Sequence, residues 1–401
     1  MKKDHIKLGK ELDLFVQSDI VGRGLPLLTP KGATIKRALR NFIEEEEIKR
    51  GYQYTETPVM AKTELYKISG HLDHFRESMF IFNVGNEEMA LRPMTCPHHF
   101  IIYKSRPRSY KELPLRYAEL AELFRNEQTG EMHGLIRVRQ FTLADAHIFC
   151  APKQLGEEFK NVLDLIQYVM KCLGFKNHWY RFSKWNPKDK KKYIDNKKAW
   201  EESQKTMKAI LDEMKLEYKE AEGEAAFYGP KLDIQMKNVF GKEDTIFTIQ
   251  IDFALPERFD LIYEGQDGKK HRPMIIHRSS IGALERTMAM LLEYYQGSLP
   301  IWLSPVQALV TPISEKFNDY GQKVLAEFKQ AALRAEIDSS NETLSKKILN
   351  SQKQKIPYIL IVGEKERENN SVAVRSRKRD EGQMNIKDFI KHIKKEVEEK
   401  K

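Results

Sequence analysis

Residues 124–141 read FRNEQTGEMHGLIRVRQF, and their spacing decides the fold. Phe124-Arg125-Asn126-Glu127 closes a run over 118–125 with the character of a strand. A polar turn follows at 128–132, and 135–143 reads as the returning strand. Two antiparallel strands joined in this way present Arg125, Arg137 and Arg139 where guanidinium forks match phosphate oxygens, and Phe141 offers a ring to stack on a base. Taken alone, Arg-Asn-Glu also reads as a surface strand whose exposed ion pairs contribute little.

Working outward, further strand patterns occur at 79–84, 88–92, 147–150, 231–237, 246–253 and 274–277. Their order predicts an antiparallel sheet in an α+β domain rather than a doubly wound fold. The spacing of Ile35, Leu39, Phe42 and Ile43 predicts a helix over 34–50. Tyr52, Tyr54 and Thr57 then alternate up to Pro58, which suits an edge strand because proline donates nothing to a ladder. Further helices are expected over 155–173, 199–215 and 282–295. Residues 1–300 read as one large domain flanked by helices. Past Pro300 and Pro305, strand and helix alternate at 308–311, 317–332, 335–338, 343–353, 358–362, 371–375 and 386–399, a smaller α/β domain over 301–401. The lysine run at 188–192 and the glutamate run at 44–47 read as solvated faces.

The chain has 401 residues and a net charge of +10, which favours a polyanionic partner or simply marks a basic cytosolic protein. Three cysteines, Cys96, Cys150 and Cys172, with no leader pattern at the start, point to a reducing cytoplasmic location. No apolar run approaches the roughly 20 residues of a membrane span. The stretch at 299–313 is interrupted by Ser304, Pro305 and Pro312. Neither a G-x-x-x-x-G-K-[ST] phosphate loop nor a dinucleotide fingerprint occurs, so a nucleotide must be held another way.

Gly282-Ala283-Leu284-Glu285-Arg286 places a glycine at a helix start with an arginine one turn on, a geometry open to phosphate. With the helix and strand ending at Pro58 and the 124–141 segment, the three pieces in this order resemble motifs 1, 2 and 3 of the class II aminoacyl-tRNA synthetases. The likeness narrows at Arg92-Pro93-Met94-Thr95-Cys96-Pro97, Asp145-Ala146-His147-Ile148-Phe149, 222–231 and Ile276-His277-Arg278, which are similar to the threonyl-tRNA synthetase family over essentially the whole chain. The last hundred residues, with Pro357-Tyr358-Ile359-Leu360 and Val372-Ala373-Val374-Arg375, resemble the anticodon-binding domain of class II enzymes. By the same resemblance, the catalytic domain is expected to begin at once with Lys7-Leu8-Gly9, without the family's N-terminal and editing domains.

The resemblance implies ATP-dependent activation of L-threonine and transfer to the 3′ end of threonine tRNA, without cis-editing of serine, in a cytoplasmic homodimer joined through motif 1. A separate editing protein is an expected partner. One zinc per subunit is implied at Cys96, His147 and His277; sulfur and imidazole suit that metal, and three ligands leave a position for substrate. A rival cluster of Cys96, His98 and His99, with His71 and His74, ranks lower because neighbours on a strand face opposite ways. Asp145, Tyr228, Thr248 and Gln250 are implied for threonine binding. Arg125, Glu127, Arg137, Phe141 and Arg286 are implied for ATP with Mg2+, and Arg125, Arg286 and His71 for catalysis. Asn341, Lys355, Glu366 and Arg375 are implied for the anticodon, with Lys355 where the family often has arginine. The sequence departs from the family at Leu143, Ala144, Ile246, Phe247 and His98, changes expected to crowd or depolarise the pocket floor. A non-charging paralogue that binds tRNA or regulates, an enzyme loading a carrier, and an inhibitor-tolerant duplicate remain the alternatives.

Overall fold

The computed structural model describes residues 2–401, which fall into two compact units. One comprises 19–25 and 40–287; the other comprises 18 and below, 26–39 and 288–401.

The larger unit is built on an eight-stranded sheet. Across it run Tyr218–Glu222, His178–Lys184, Lys231–Lys237, Glu243–Asp252, Met274–Ala283, Gln140–Cys150, Leu115–Phe124 and Gln53–Tyr54. The six inner strands pair antiparallel, and only the two outermost strands pair parallel to their neighbours. This is the expected α+β sheet. Gln53–Tyr54 closes one edge, as Pro58 requires.

One face of the sheet is covered by the Leu155–Leu173 helix. Leu155, Phe159, Val162, Leu163, Ile166 and Val169 recur every three or four residues and are all buried. Glu157 and Glu158 occupy its first turn, and Gly174 ends it in the left-handed conformation at φ 73°. Each such apolar side chain contributes about 1.5–3 kcal/mol on full burial.

Four expectations need correction. Residues 135–143 and 147–150 are not two strands: Gln140–Cys150 is continuous, and 133–139 is a turn held by Arg139 N donating to Gly24 O at 2.8 Å. Arg125, Arg137 and Arg139 therefore sit in the connection beyond the ladder rather than on a strand face. The 79–84 and 88–92 runs do not join the large sheet; Ile81–Val84 and Glu87–Leu91 form a three-stranded sheet with Met60–Lys62. Cys96 opens a helix, Cys96–Lys104, with Pro97 in its first turn. Gly282 lies in the Met274–Ala283 strand, two residues before the Leu284–Tyr295 helix, not at the helix start.

In the other unit, Ala335–Ile337, Ala308–Pro312 and Tyr358–Val362 are parallel, and Ser371–Ser376 and Asp380–Asn385 extend the sheet antiparallel. Val310, Val324, Phe328, Leu360, Val374 and Phe389 share its core with the Asn318–Gln330 and Ile386–Glu398 helices.

Candidate active site

Register across the large sheet builds the site. Asp233, Thr248, Ser279, Asp145 and Glu119 are successive partners across five strands. Two residues along each strand, Lys231, Gln250, His277, His147 and Tyr117 form a second row. Because side chains alternate with period two, both rows share one face. Strands far apart in sequence thus place acids, imidazoles and amides together.

Cys96, His147 and His277 converge on this face. One ligand atom from each lies within 4.8 Å of the others, and all three residues are buried. The two imidazole rings stand edge to face with centroids 4.7 Å apart. His277 Nε2 bonds Asp252 Oδ2 at 2.8 Å, while Asp252 Oδ1 accepts from Ala254 N and Leu255 N. His147 Nδ1 lies 2.8 Å from His99 Nδ1, and His99 Nε2 lies 2.9 Å from Thr55 Oγ1.

This donor set fits zinc. One thiol and two imidazoles match its preferred ligands, and each imidazole has its far nitrogen fixed by an outer partner. Burial holds the His147 imidazole well below its usual pKa, in the neutral form that ligates. Burial pushes the Cys96 thiol well above its usual value, with Asp145 and Asp252 adding to the shift.

His99 supports the site rather than forming a rival one, through its contact with His147. The 96–104 segment is helical, so Cys96 and His99 lie three apart on one face. The strand argument against the rival cluster does not hold. His98 faces elsewhere, its ring edge-on to Tyr66 at 6.4 Å. Glu119, Arg92, Asp252 and Asp233 support the site with no motif in the sequence that marks that role. Arg92 pairs with Glu119 at 2.8 Å behind His99.

Tyr228 stacks on His277 at 4.8 Å, and its hydroxyl donates to Gln250 Oε1. Burial raises the Asp145 carboxyl above its ordinary pKa, although the His99 and His277 imidazoles oppose the shift. Thr248 donates to Asp233 Oδ1 at 2.9 Å. His71 is buried beside Phe227 and Tyr228, with centroids 5.0 and 6.3 Å away, and Ser69 Oγ lies 2.8 Å from its Nδ1. Burial brings its pKa down to about 3.

Arg125 lies over the Phe141 ring at 5.1 Å and donates to Pro93 O. Burial lowers its pKa and Arg286 repels it, while Glu127 and Asp145 attract. Arg286 donates to Ile136 O and Thr245 O. Arg137 and Glu127, expected to meet opposite ends of ATP, bond one another at 2.6 Å.

Of the departures from the family pattern, Leu143 precedes Asp145 by two residues along the same face, whereas Ala144 and Phe247 point to the other face. Phe247 is buried against the core. The expectation that these two crowd the pocket floor is therefore corrected. Gly282 adopts φ 72°, and a Cβ there would come within 2.5 Å of Ile246 O. The close approach expected of this glycine is real, but it is to a neighbouring strand where both ladders break register.

In the other unit, exposed Asn341 follows Ala335–Ile337, and Glu366 lies in the Glu364–Glu368 helix beyond Tyr358–Val362. Glu366 Oε2 accepts from Gly363 N at 3.0 Å. Lys355 instead precedes that strand and lines a cleft with Leu12, Leu14 and Gly297. Arg375 pairs with Ile359 near the strand's start. Asn341 and Glu366 share one edge; Lys355 and Arg375 sit toward the other.

The fold and the site together define a class. Residues 80–295 match the tRNA synthetase class II core domain (G, H, P, S and T), and residues 307–396 match the anticodon binding domain, so the chain belongs to the class II tRNA synthetases. Within that class its relatives are threonine enzymes. It is 56% identical over 399 residues to the threonine–tRNA ligase of Clostridium perfringens, covering 98% of this chain and 62% of that protein. The threonine–tRNA ligase of Listeria monocytogenes is 49% identical over 99% of this chain and 62% of its own length. The chain thus spans about three fifths of these relatives. Its structure matches the crystal structure described as the RNA binding domain of threonyl-tRNA synthetase from Cryptosporidium parvum, with TM-score 0.93, 37% identity and 98% of each chain covered.

Proposed function

We infer that this chain activates L-threonine with ATP and transfers it to the 3′ end of threonine tRNA. The carrying observation is the convergence of Cys96, His147 and His277 beside Asp145, Tyr228 and Gln250 on one sheet face. Threonine differs from valine by a hydroxyl in place of a methyl. An apolar pocket separates such isosteres poorly, whereas buried groups that require the hydroxyl reject valine strongly.

Cys96, His147 and His277 would hold zinc, which when bound supplies Lewis-acid positions for the amino and hydroxyl groups of the substrate. Asp145 accepts from the threonine hydroxyl. Tyr228, held by Gln250, orients the amino group, and Thr248 completes the polar wall. Arg125 holds the threonine carboxylate against the α-phosphate; a carboxylate oxygen attacks the phosphorus and pyrophosphate leaves. Glu127 and Phe141 position adenine. Arg137 and Arg286, with Mg2+, hold the distal phosphates, so the Arg137–Glu127 pair must open when ATP enters. In the second step a ribose hydroxyl of tRNA attacks the carbonyl and AMP leaves, with His71 beside the transfer.

The 301–401 domain reads the anticodon through Asn341, Lys355, Glu366 and Arg375; a boundary at 300 falls between the two family matches. Cytoplasmic work is supported by Cys96, Cys150 and Cys172 forming no disulfide. None of the described helices is long and apolar enough to cross a membrane. A homodimer joined through the motif 1 helix, Pro30–Lys49, follows from the family resemblance. Serine lacks only one methyl, a difference of about 1–3 kcal/mol, so hydrolysis of mischarged serine is assigned to groups outside these 401 residues, including a separate editing protein.

Amino-acid-dependent exchange between ATP and pyrophosphate tests the reading. Threonine should support exchange, serine less and valine none. Absence of exchange from folded, zinc-supplied protein would favour a non-charging relative instead.

A further inference from the structure

The lysines at 188–192, which read as a solvated run, belong to a segment that the fold ties to the pocket. Between the His178–Lys184 strand and the Lys197–Glu213 helix the chain has no regular structure, yet it is pinned throughout. Asn186 Oδ1 accepts from Lys188 N at 2.9 Å, and Asp189 Oδ1 accepts from Lys192 N at 3.1 Å. Ile194 N donates to Phe227 O at 3.2 Å, and Ile194 O accepts from the Trp200 indole at 3.0 Å. The backbone of Lys191 hydrogen-bonds the His74 ring. That ring lies 4.7 Å from Phe227, the residue before Tyr228. The segment is therefore a fixed rim of the pocket.

Its cations are not equivalent. The Lys192 ammonium donates to Gly223 O at 2.5 Å and lies over Tyr193. Nearby Lys184, Lys197 and Lys198 face Glu220, Glu201 and Glu202. Lys188, Lys190 and Lys191 are exposed, and among the described residues no carboxylate stands within ion-pair distance of them. Asp189 is turned onto the Lys192 amide. Three unmatched like charges within four residues repel one another until a polyanion neutralises them. Trp185 is stacked internally on Trp200 at 5.2 Å, so the rim offers ammonium groups for a backbone rather than a ring for a base.

We propose that Lys188, Lys190 and Lys191 bind backbone phosphates of the tRNA acceptor end and bring its 3′ terminus to the Tyr228 side of the pocket. The proposal rests on the tRNA-charging reading above.

The test compares the full chain with K188Q/K190Q/K191Q and with the triple arginine variant. Filter retention of an unmodified threonine tRNA transcript is followed from 50 to 200 mM salt, beside ATP and pyrophosphate exchange. In the glutamine variant, exchange stays unchanged, the Kd for tRNA rises about tenfold at low salt, and the salt slope falls by about 3, one per lost phosphate contact. Arginine restores both. An unchanged Kd and slope with intact exchange would overturn the proposal. Single K188Q and K190Q variants, each expected to lower the slope by about 1, decide the matter if the triple variant misfolds. Failure of the wild type to support exchange would remove the charging reading, while the retention curves would still decide the lysine contact.

Discussion

The Nδ1 atoms of His147 and His99 lie 2.8 Å apart, joining a sheet strand to a helix that begins with Cys96. In such a contact one ring nitrogen donates and the other accepts. The bond leaves His147 Nε2 for the site and fixes its direction. Exchanging His99 for alanine should weaken zinc binding about tenfold to hundredfold, measured by competition with a chelator. Equal zinc affinity in H99A would show that the second imidazole is packing alone.

Thiol chemistry should separate the three cysteines. Burial pushes the Cys150 thiol up to about 12 and Cys96 well above its usual value, while Cys172 is half-buried. A disulfide reagent near pH 8 should therefore titrate one thiol quickly in native protein and three after unfolding. Loss of the fast thiol in Cys172→Ser checks the assignment.

Acid sensitivity should include a contribution from His71. Its folded pKa is about 3 against about 6.5 when unfolded. Between those values the unfolded chain binds the extra proton, so stability is intact above about pH 6.5 and falls as pH drops. At pH 5 the loss from this group is about 2 kcal/mol. Urea unfolding of H71N should show a shallower acid decline than the wild type, and parallel curves would remove His71 from the balance.

Gly282 should resist substitution for two reasons, its φ of 72° and the Ile246 carbonyl that a Cβ would strike. Alanine there should cost about 1–3 kcal/mol, read as a lower urea midpoint, and should shift the start of the helix bearing Arg286. A variant of wild-type stability would mean that the paired bulges relax.

Legibility in the sequence followed the strength of local patterning. The 155–173 helix was readable because its buried residues recur at helical spacing over five turns. The helix at 96–104 was not, because Cys96, Pro97, His98, His99, Phe100 and Tyr103 are all buried and leave no polar face to set a period. Arg137-Val138-Arg139 alternates like a strand, yet Gly134 at φ 50° turns the chain there and Arg139 pairs with Gly24. The strands at 178–184 and 218–222 are hidden by lysines and half-buried aromatics at the sheet edge. Cys96, His147 and His277 became a cluster only through the resemblance, since register between strands, invisible in one sequence, is what aligns His147 with His277. Asp252 carries no signal of its own, and His99 only that of a rival cluster ranked lower, because each acts through a partner distant in sequence.

The most direct measurement is charging of threonine tRNA by the zinc-supplied chain with threonine and valine side by side. The hydroxyl-requiring pocket predicts threonyl-tRNA with valine disfavoured by about 10⁴ or more in kcat/KM. Valine within about a hundredfold of threonine would contradict it, because that is the discrimination an apolar pocket achieves without a group that needs the hydroxyl.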